Sequence, residues 1–131
     1  MLSILIDSSV LIALLDQNDK HHRKCVDKVL DDGLQINAAT ISITECLIRP
    51  FRKESYFAYL VLENSNSIVE RFHDLTQMIA VEAANIRATK KLSTADSIIL
   101  ATSRKLGAQL WSCDKELVGA DVNALYLGEL N

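Results

Sequence analysis

Between Leu92 and Leu117 the chain holds a helix, a glycine stop, a short apolar strand and an aspartate in direct succession. Ala95, Ile98, Ile99, Thr102 and Leu106 recur at helical spacing, so the run after Asp96 reads as an amphipathic helix with one face packed inward. Gly107 ends it. Gln109-Leu110-Trp111 suits a short buried strand, Asp114 follows as that strand ends, and Lys115-Glu116-Leu117 reads as one more helical turn. A strand this short and apolar needs helices to cover it, which confines the unit to folds that layer helices on a sheet. In such sheets ligand sites lie at the carboxyl ends of the strands, the place Asp114 takes. Asp96, at the start of a helix, falls on the same rim.

The remaining elements follow the same alternation. Leu2–Ile6 is a short apolar strand closed by Asp7, and Ser8-Ser9 lead into an apolar helix from Val10 to Leu15. A polar turn from Gln17 to His22 precedes a helix from Arg23 to Asp32, with Val26, Val29 and Leu30 inward. His21 and His22, adjacent in a basic turn, read as solvated rather than as ligands. Gly33 ends this helix, Leu34–Ala38 alternates like a second strand, and Thr40–Glu45 opens a helix that Pro50 breaks. Phe51–Glu63 reads as a helix, Ser65-Asn66-Ser67 as a turn and Ile68–Phe72 as a third strand. Asp74 caps a long helix from Leu75 to Leu92, and Val122–Leu127 is a last, edge strand. Strands alternating with helices, with few hairpin signals, predict an α/β fold: a three-layer α/β/α sandwich on a central, mainly parallel sheet of about four to five strands.

Length bounds the organisation. With 131 residues, 49% of them hydrophobic, the expectation is a single domain over residues 1–131 with a real core. No apolar run approaches a membrane span, and the chain opens on a strand rather than a signal segment, so a cytoplasmic protein without a membrane partner is expected. Cys25, Cys46 and Cys113 are odd in number and separated in sequence, which argues against a disulfide framework or a zinc site. The net charge of −3 counts against a nucleic-acid partner only as a sum. Basic residues cluster at Lys20–Lys24, at Arg49 with Arg52-Lys53, at Arg87 with Lys90-Lys91, and at Arg104-Lys105. Tyr56, Phe57 and Tyr59 are candidates for base stacking, though core packing or a dimer contact accounts for them as well.

Four acids stand at the same kind of place, a strand-to-helix junction or a first helical turn: Asp7, Glu45, Asp96 and Asp114. Each has a local explanation. Asp7, Ser8 or Ser9 can cap the following helix, while Ser42-x-x-Glu45 and Ser93-x-x-Asp96 match the capping box. A fold that aligns the helix N-termini, however, brings the four carboxylates together and makes them repel. A divalent cation resolves that conflict, and an all-oxygen donor set suits Mg²⁺ or Mn²⁺ rather than zinc.

On Ile6-Asp7-Ser8-Ser9, Ser42-Ile43-Thr44-Glu45, Leu92-Ser93-Thr94-Ala95-Asp96 with its Ile-Leu-Ala-Thr helix, and Leu106-Gly107-Ala108 through Trp111-Ser112-Cys113-Asp114, the chain resembles the PIN domain. Within that family it resembles the small prokaryotic toxin ribonucleases of the VapC type. The resemblance implies a catalytic and metal-binding quartet of Asp7, Glu45, Asp96 and Asp114, with Ser8 and Ser112 supporting it. It implies a metal-dependent endoribonuclease that hydrolyses RNA with one or two Mg²⁺ or Mn²⁺ ions, with a cognate antitoxin as protein partner and a homodimer as assembly. Residues 51–72 match no motif of the family. Two other classes use acids at strand ends: phosphotransfer domains, whose Asp-x-Asp or paired acids after the first strand are missing here, and non-catalytic PIN-like binding domains, against which the intact quartet weighs.

Overall fold

A computed structural model describes residues 2–30 and 33–129. In chain order the elements are β1 (Leu2–Ile6), α1 (Ser8–Leu15), α2 (His22–Val29), β2 (Leu34–Ala39), α3 (Ile41–Lys53), α4 (Ser55–Ile68), β3 (Arg71–His73), α5 (Gln77–Thr89), α6 (Thr94–Leu106), β4 (Gln109–Ser112), α7 (Lys115–Gly119) and β5 (Leu125–Tyr126). The five strands among the described residues form one sheet in the order β3-β2-β1-β4-β5, and every pairing is parallel.

Side-chain alternation on the strands explains the layers. Ile4 and Ile6 point to one face with Ala38 and Trp111, where Val10, Leu11, Cys25 and Cys46 of α1, α2 and α3 cover them. Leu5, Ala39 and Leu110 point to the other, covered by Ile79, Ala83 and Ile86 of α5, Ile98 to Ala101 of α6, and Leu117 of α7. Because β1 and β4 are covered on both sides, they carry apolar residues on both faces. Helix α6 is buried from Ser97 to Ser103, and its polar members bond within the helix: Thr102 Oγ1 donates to Ile98 O at 2.7 Å and Ser103 Oγ to Leu100 O at 2.9 Å.

Several boundaries differ from those read in the sequence. Pro50 does not break α3, which runs to Lys53; Glu54 N–H closes the next turn on Pro50 O at 3.0 Å. The Ser65-Asn66-Ser67 turn is instead the end of α4, because Ser65 Oγ donates to Leu62 O and Ser67 Oγ to Glu63 O, returning the hydroxyls to the helix. Helix α5 starts at Gln77 with Thr76 as its cap, and Asp74 accepts instead from Thr40 Oγ1 at 2.7 Å. Leu30 is 72% exposed rather than inward. Asp31 and Asp32, placed at the end of the second helix by the sequence reading, lie outside the described residues. Cys25 and Cys113, far apart in sequence, meet at 3.8 Å between sulfurs and remain free thiols. No helix among the described residues is long and apolar enough to cross a membrane.

Gly107 ends α6 at φ 63°, with its N–H donating back to Arg104 O, so the turn into β4 uses a left-handed residue. A Cβ placed there meets nothing within 4 Å. Gly107→Ala is therefore expected to cost only conformational strain, about 1–2 kcal/mol of unfolding free energy by urea titration, with the fold retained.

Candidate active site

The strand order reverses direction at β1: the chain goes from β1 to β2 on one side and returns to β4 on the other. A crevice opens where such neighbouring strands end. Ile6 pairs with Trp111 in register, so Asp7 and Ser112 leave β1 and β4 side by side. Asp7 N–H donates to Trp111 O at 3.1 Å, which holds the aspartate against the end of β4.

Asp7 is 3% exposed and both of its oxygens are engaged. Oδ1 accepts from Val10 N–H at 3.0 Å, capping α1, and from Ser9 Oγ at 2.6 Å. Oδ2 accepts from Ser112 Oγ at 2.5 Å. Ser112 Oγ in turn accepts the Asp114 N–H at 2.9 Å, and Ser9 Oγ accepts the Cys113 N–H at 2.9 Å. Two serines thus tie the loop after β1 to the loop after β4. Asp114 caps α7 through Oδ1 and Glu116 N–H at 2.9 Å.

Glu45 and Asp96 come from the two helix layers. Glu45 sits inside α3 and accepts from Ser8 Oγ at 2.5 Å; the same Ser8 Oγ is 3.1 Å from Ser42 Oγ. The expected Ser42–Glu45 capping box is not formed, because α3 begins at Ile41 and Ser42, fully buried, turns to Ser8. Asp96 lies in the first turn of α6, whose cap is Ser93, accepting from Asp96 N–H at 3.0 Å.

Electrostatics links the four carboxylates. Burial pushes the Asp7 carboxyl up to about 6; the hydrogen bonds from Ser112, Ser9 and Val10 pull the other way, and the Asp96 charge adds to the rise. Asp96 is also raised, first by burial, then by the charges of Asp114 and Glu45. Asp96 thus feels Asp114 and Glu45, and its own charge raises Asp7. Among the described residues no three His, Cys, Asp or Glu side chains converge as a ready-made metal cage. The acids are coupled through their charges without closing on a point.

Asp7, Glu45, Asp96 and Asp114 all lie on this rim, and Ser8 and Ser112 each donate to one of them. Ser9 and Ser42, which the sequence offers as a cap and as half of a capping box within the PIN-like motifs, also belong to this network. The three-residue spacing of Ser42 from Glu45, which puts both on one side of a helix, is the signal that finds it.

Fold and site together define an α/β domain whose parallel sheet presents carboxylates at its carboxyl-terminal edge. The PIN domain family model matches residues 4–123, and the chain belongs to the PIN domain family. Solved structures agree on the fold. A toxin–antitoxin complex from Klebsiella pneumoniae is 20% identical, with a TM-score of 0.79 over 97% of this chain and 99% of that one. VapC20 of Mycobacterium tuberculosis, a toxin that cleaves the sarcin-ricin loop, is 18% identical, with a TM-score of 0.74 over 89% of this chain and 94% of that one. FitAcB from Neisseria gonorrhoeae is 18% identical, with a TM-score of 0.73 over 94% and 96% of the two chains. A search of curated protein sequences finds no match.

The raised Asp7 carboxyl has a consequence for stability. Its value is 3.8 unfolded and about 6 folded, so the folded state binds the proton more tightly. The stabilisation is complete below about pH 4 and is lost as the pH rises through about 6, a difference on the order of 3 kcal/mol. Asp7→Asn keeps a competent helix cap and removes the charge. Metal-free urea titrations are expected to show wild type weakening between pH 4 and 7, and Asp7→Asn with a flatter profile and higher stability at pH 7. A steeper or unchanged profile in the variant refutes this account of Asp7.

Proposed function

We propose that the chain is a metal-dependent endoribonuclease, the toxin member of a toxin–antitoxin pair. The observation that carries this reading is the charge coupling at the carboxyl ends of β1 and β4: burial and then the Asp96 charge raise Asp7, and burial with the charges of Asp114 and Glu45 raises Asp96. PIN domain membership and the fold shared with VapC20 and the Klebsiella toxin–antitoxin complex support it.

The donor set fits a hard divalent ion. Mg²⁺ is bound through one or two carboxylates and keeps several waters, which suits acids that share a crevice without forming a cage. Asp7 and Asp96 would hold Mg²⁺ or Mn²⁺ directly, and Asp114 directly or through water, at one or two ions. Such an ion activates water and neutralises charge on phosphoryl oxygens. The protein's own part is orientation. Ser9 and Ser112 fix the Asp7 carboxylate from both sides, and Ser112 also holds the backbone of Asp114. Ser8 occupies Oε1 of Glu45, leaving Oε2 to hold the ion or to orient the attacking water. Hydrolysis by water leaves a 5′-phosphate and a 3′-hydroxyl, and the open rim suits single-stranded RNA, whose backbone bends to reach it. A cognate antitoxin and a homodimer complete the proposal; exposed Phe51, Tyr56 and Tyr59 offer apolar surface for a second copy.

The test is cleavage of end-labelled single-stranded RNA by wild type and Asp96→Asn with Mg²⁺, with Mn²⁺ and with EDTA. Wild type is expected to cut with either ion and not in EDTA. Asp96→Asn should be slower by on the order of a hundredfold or more. Equal cutting by both proteins overturns the role of Asp96. Wild type inactive on single-stranded RNA, on tRNA and on ribosomal RNA, when freed of any co-purifying partner, overturns the nuclease reading.

A further inference from the structure

A groove of about 600 Å³ runs on from Glu45, between α3 and α4 on one side and the end of α1 with the following turn on the other. Glu45, Arg49 and Lys53 all line it. They are spaced four residues apart on α3, so they form one stripe along the helix with steps of about 6 Å. The stripe begins with an acid of the crevice and continues as two cations. Both are exposed, and neither is in an ion pair among the described residues. Lys53 Nζ sits 5.7 Å from the centroid of the Phe57 ring, which lines the same groove at 42% exposure. On the opposite wall His22 Nδ1 donates to Ala13 O at 2.7 Å, because the carbonyl can only accept, and Nε2 is left for another partner. Asp16, the other acid of the groove, accepts from Asn18 N–H at 2.9 Å.

We infer that Arg49 and Lys53 are positioning residues that carry the RNA strand away from the cleavage site, each holding one backbone phosphate beyond the scissile one, with Phe57 as a stacking surface for a base. The inference rests on the proposed ribonuclease reading. Cations set one helical turn apart match the step between successive phosphates of an extended single strand. Paired to no acid among the described residues, they are ready to release counterions when a phosphate binds. An aromatic ring beside a cation is the combination that single strands use without sequence preference. The order along α3 also gives the strand a direction, from hydrolysis at Glu45 to anchoring at Lys53.

The test uses the full chain and a fluorescently labelled single-stranded oligouridylate. Its affinity is followed by anisotropy in EDTA over a salt series, and its cleavage is followed in Mg²⁺. Arg49→Gln and Lys53→Gln are each expected to lower the log–log salt slope by about 0.7 and to weaken binding by about tenfold. In cleavage, KM should rise by a similar factor while kcat stays within about twofold. Arg49→Lys should restore the slope, and Arg104→Gln, whose arginine faces Glu82 at 3.7 Å far from the groove, should leave it unchanged. Cleavage with unaltered slope and KM in both variants overturns the phosphate track while the nuclease reading stands. Slope losses without cleavage by wild type support the track and overturn the nuclease reading. Variants that bind RNA normally but lose a protein partner show the groove to be a protein-docking surface and overturn the inference.

Discussion

A carboxylate that is 3% exposed at the end of a central strand places the strictest condition on this structure. Burial disfavours the charge of Asp7, and three donors, Val10 N–H, Ser9 and Ser112, restore part of what water would have supplied. Two of these come from the same turn as Asp7. The third comes from β4 and is present only because Ile6 and Trp111 pair in register. The apolar packing of Ile4, Ile6 and Trp111 beneath the crevice is thus what aims Ser112 at Asp7. Core and site are one arrangement, and a slip of one residue in the β1–β4 ladder would turn Ser112 away.

The same hydroxyl chemistry joins α1 to α3 and to the loop after β4. Ser8, immediately after Asp7, reaches across to Glu45 and Ser42 on α3, while Ser9 and Ser112 reach to the loop after β4. Serines, small and able both to donate and to accept, let the backbone elements approach while each carboxylate keeps a defined orientation. What they do not provide is positive charge. Asp96 is raised first by burial and then by the charges of Asp114 and Glu45, and that repulsion is what a divalent cation would relieve.

Capping accounts for two of the four acids outright: Asp7 caps α1 and Asp114 caps α7. Glu45 takes no part in a cap, because its partner is Ser8; at Asp96 half of the capping box forms, with Ser93 capping α6 by accepting the Asp96 N–H. A four-residue motif does not distinguish these cases, since a capping box and a serine turned toward another helix have the same letters. Errors of boundary have similar origins. Pro50 removes one N–H from α3 but leaves Glu54 free to close the next turn, and Ser65 and Ser67 read as turn formers until their hydroxyls bond back to their own helix.

The sequence alone was sufficient for the alternation of strands and helices, the strands Leu2–Ile6 and Gln109–Trp111, the glycine stop at Gly107, and the position of four acids at element ends. These are local or periodic properties: burial on both faces writes continuous apolar runs, and a left-handed turn selects glycine. The tertiary structure decided the strand order β3-β2-β1-β4-β5, that Ser112 and Ser9 clamp Asp7, that Ser42 belongs with Ser8, and that Arg49 and Lys53 extend from Glu45 along one groove. The Ser112–Asp7 contact spans 105 positions of the chain and the Ser8–Glu45 contact 37. No local pattern encodes such pairs, because they exist only after the register of β1 against β4 and the packing of α3 against α1 have been set.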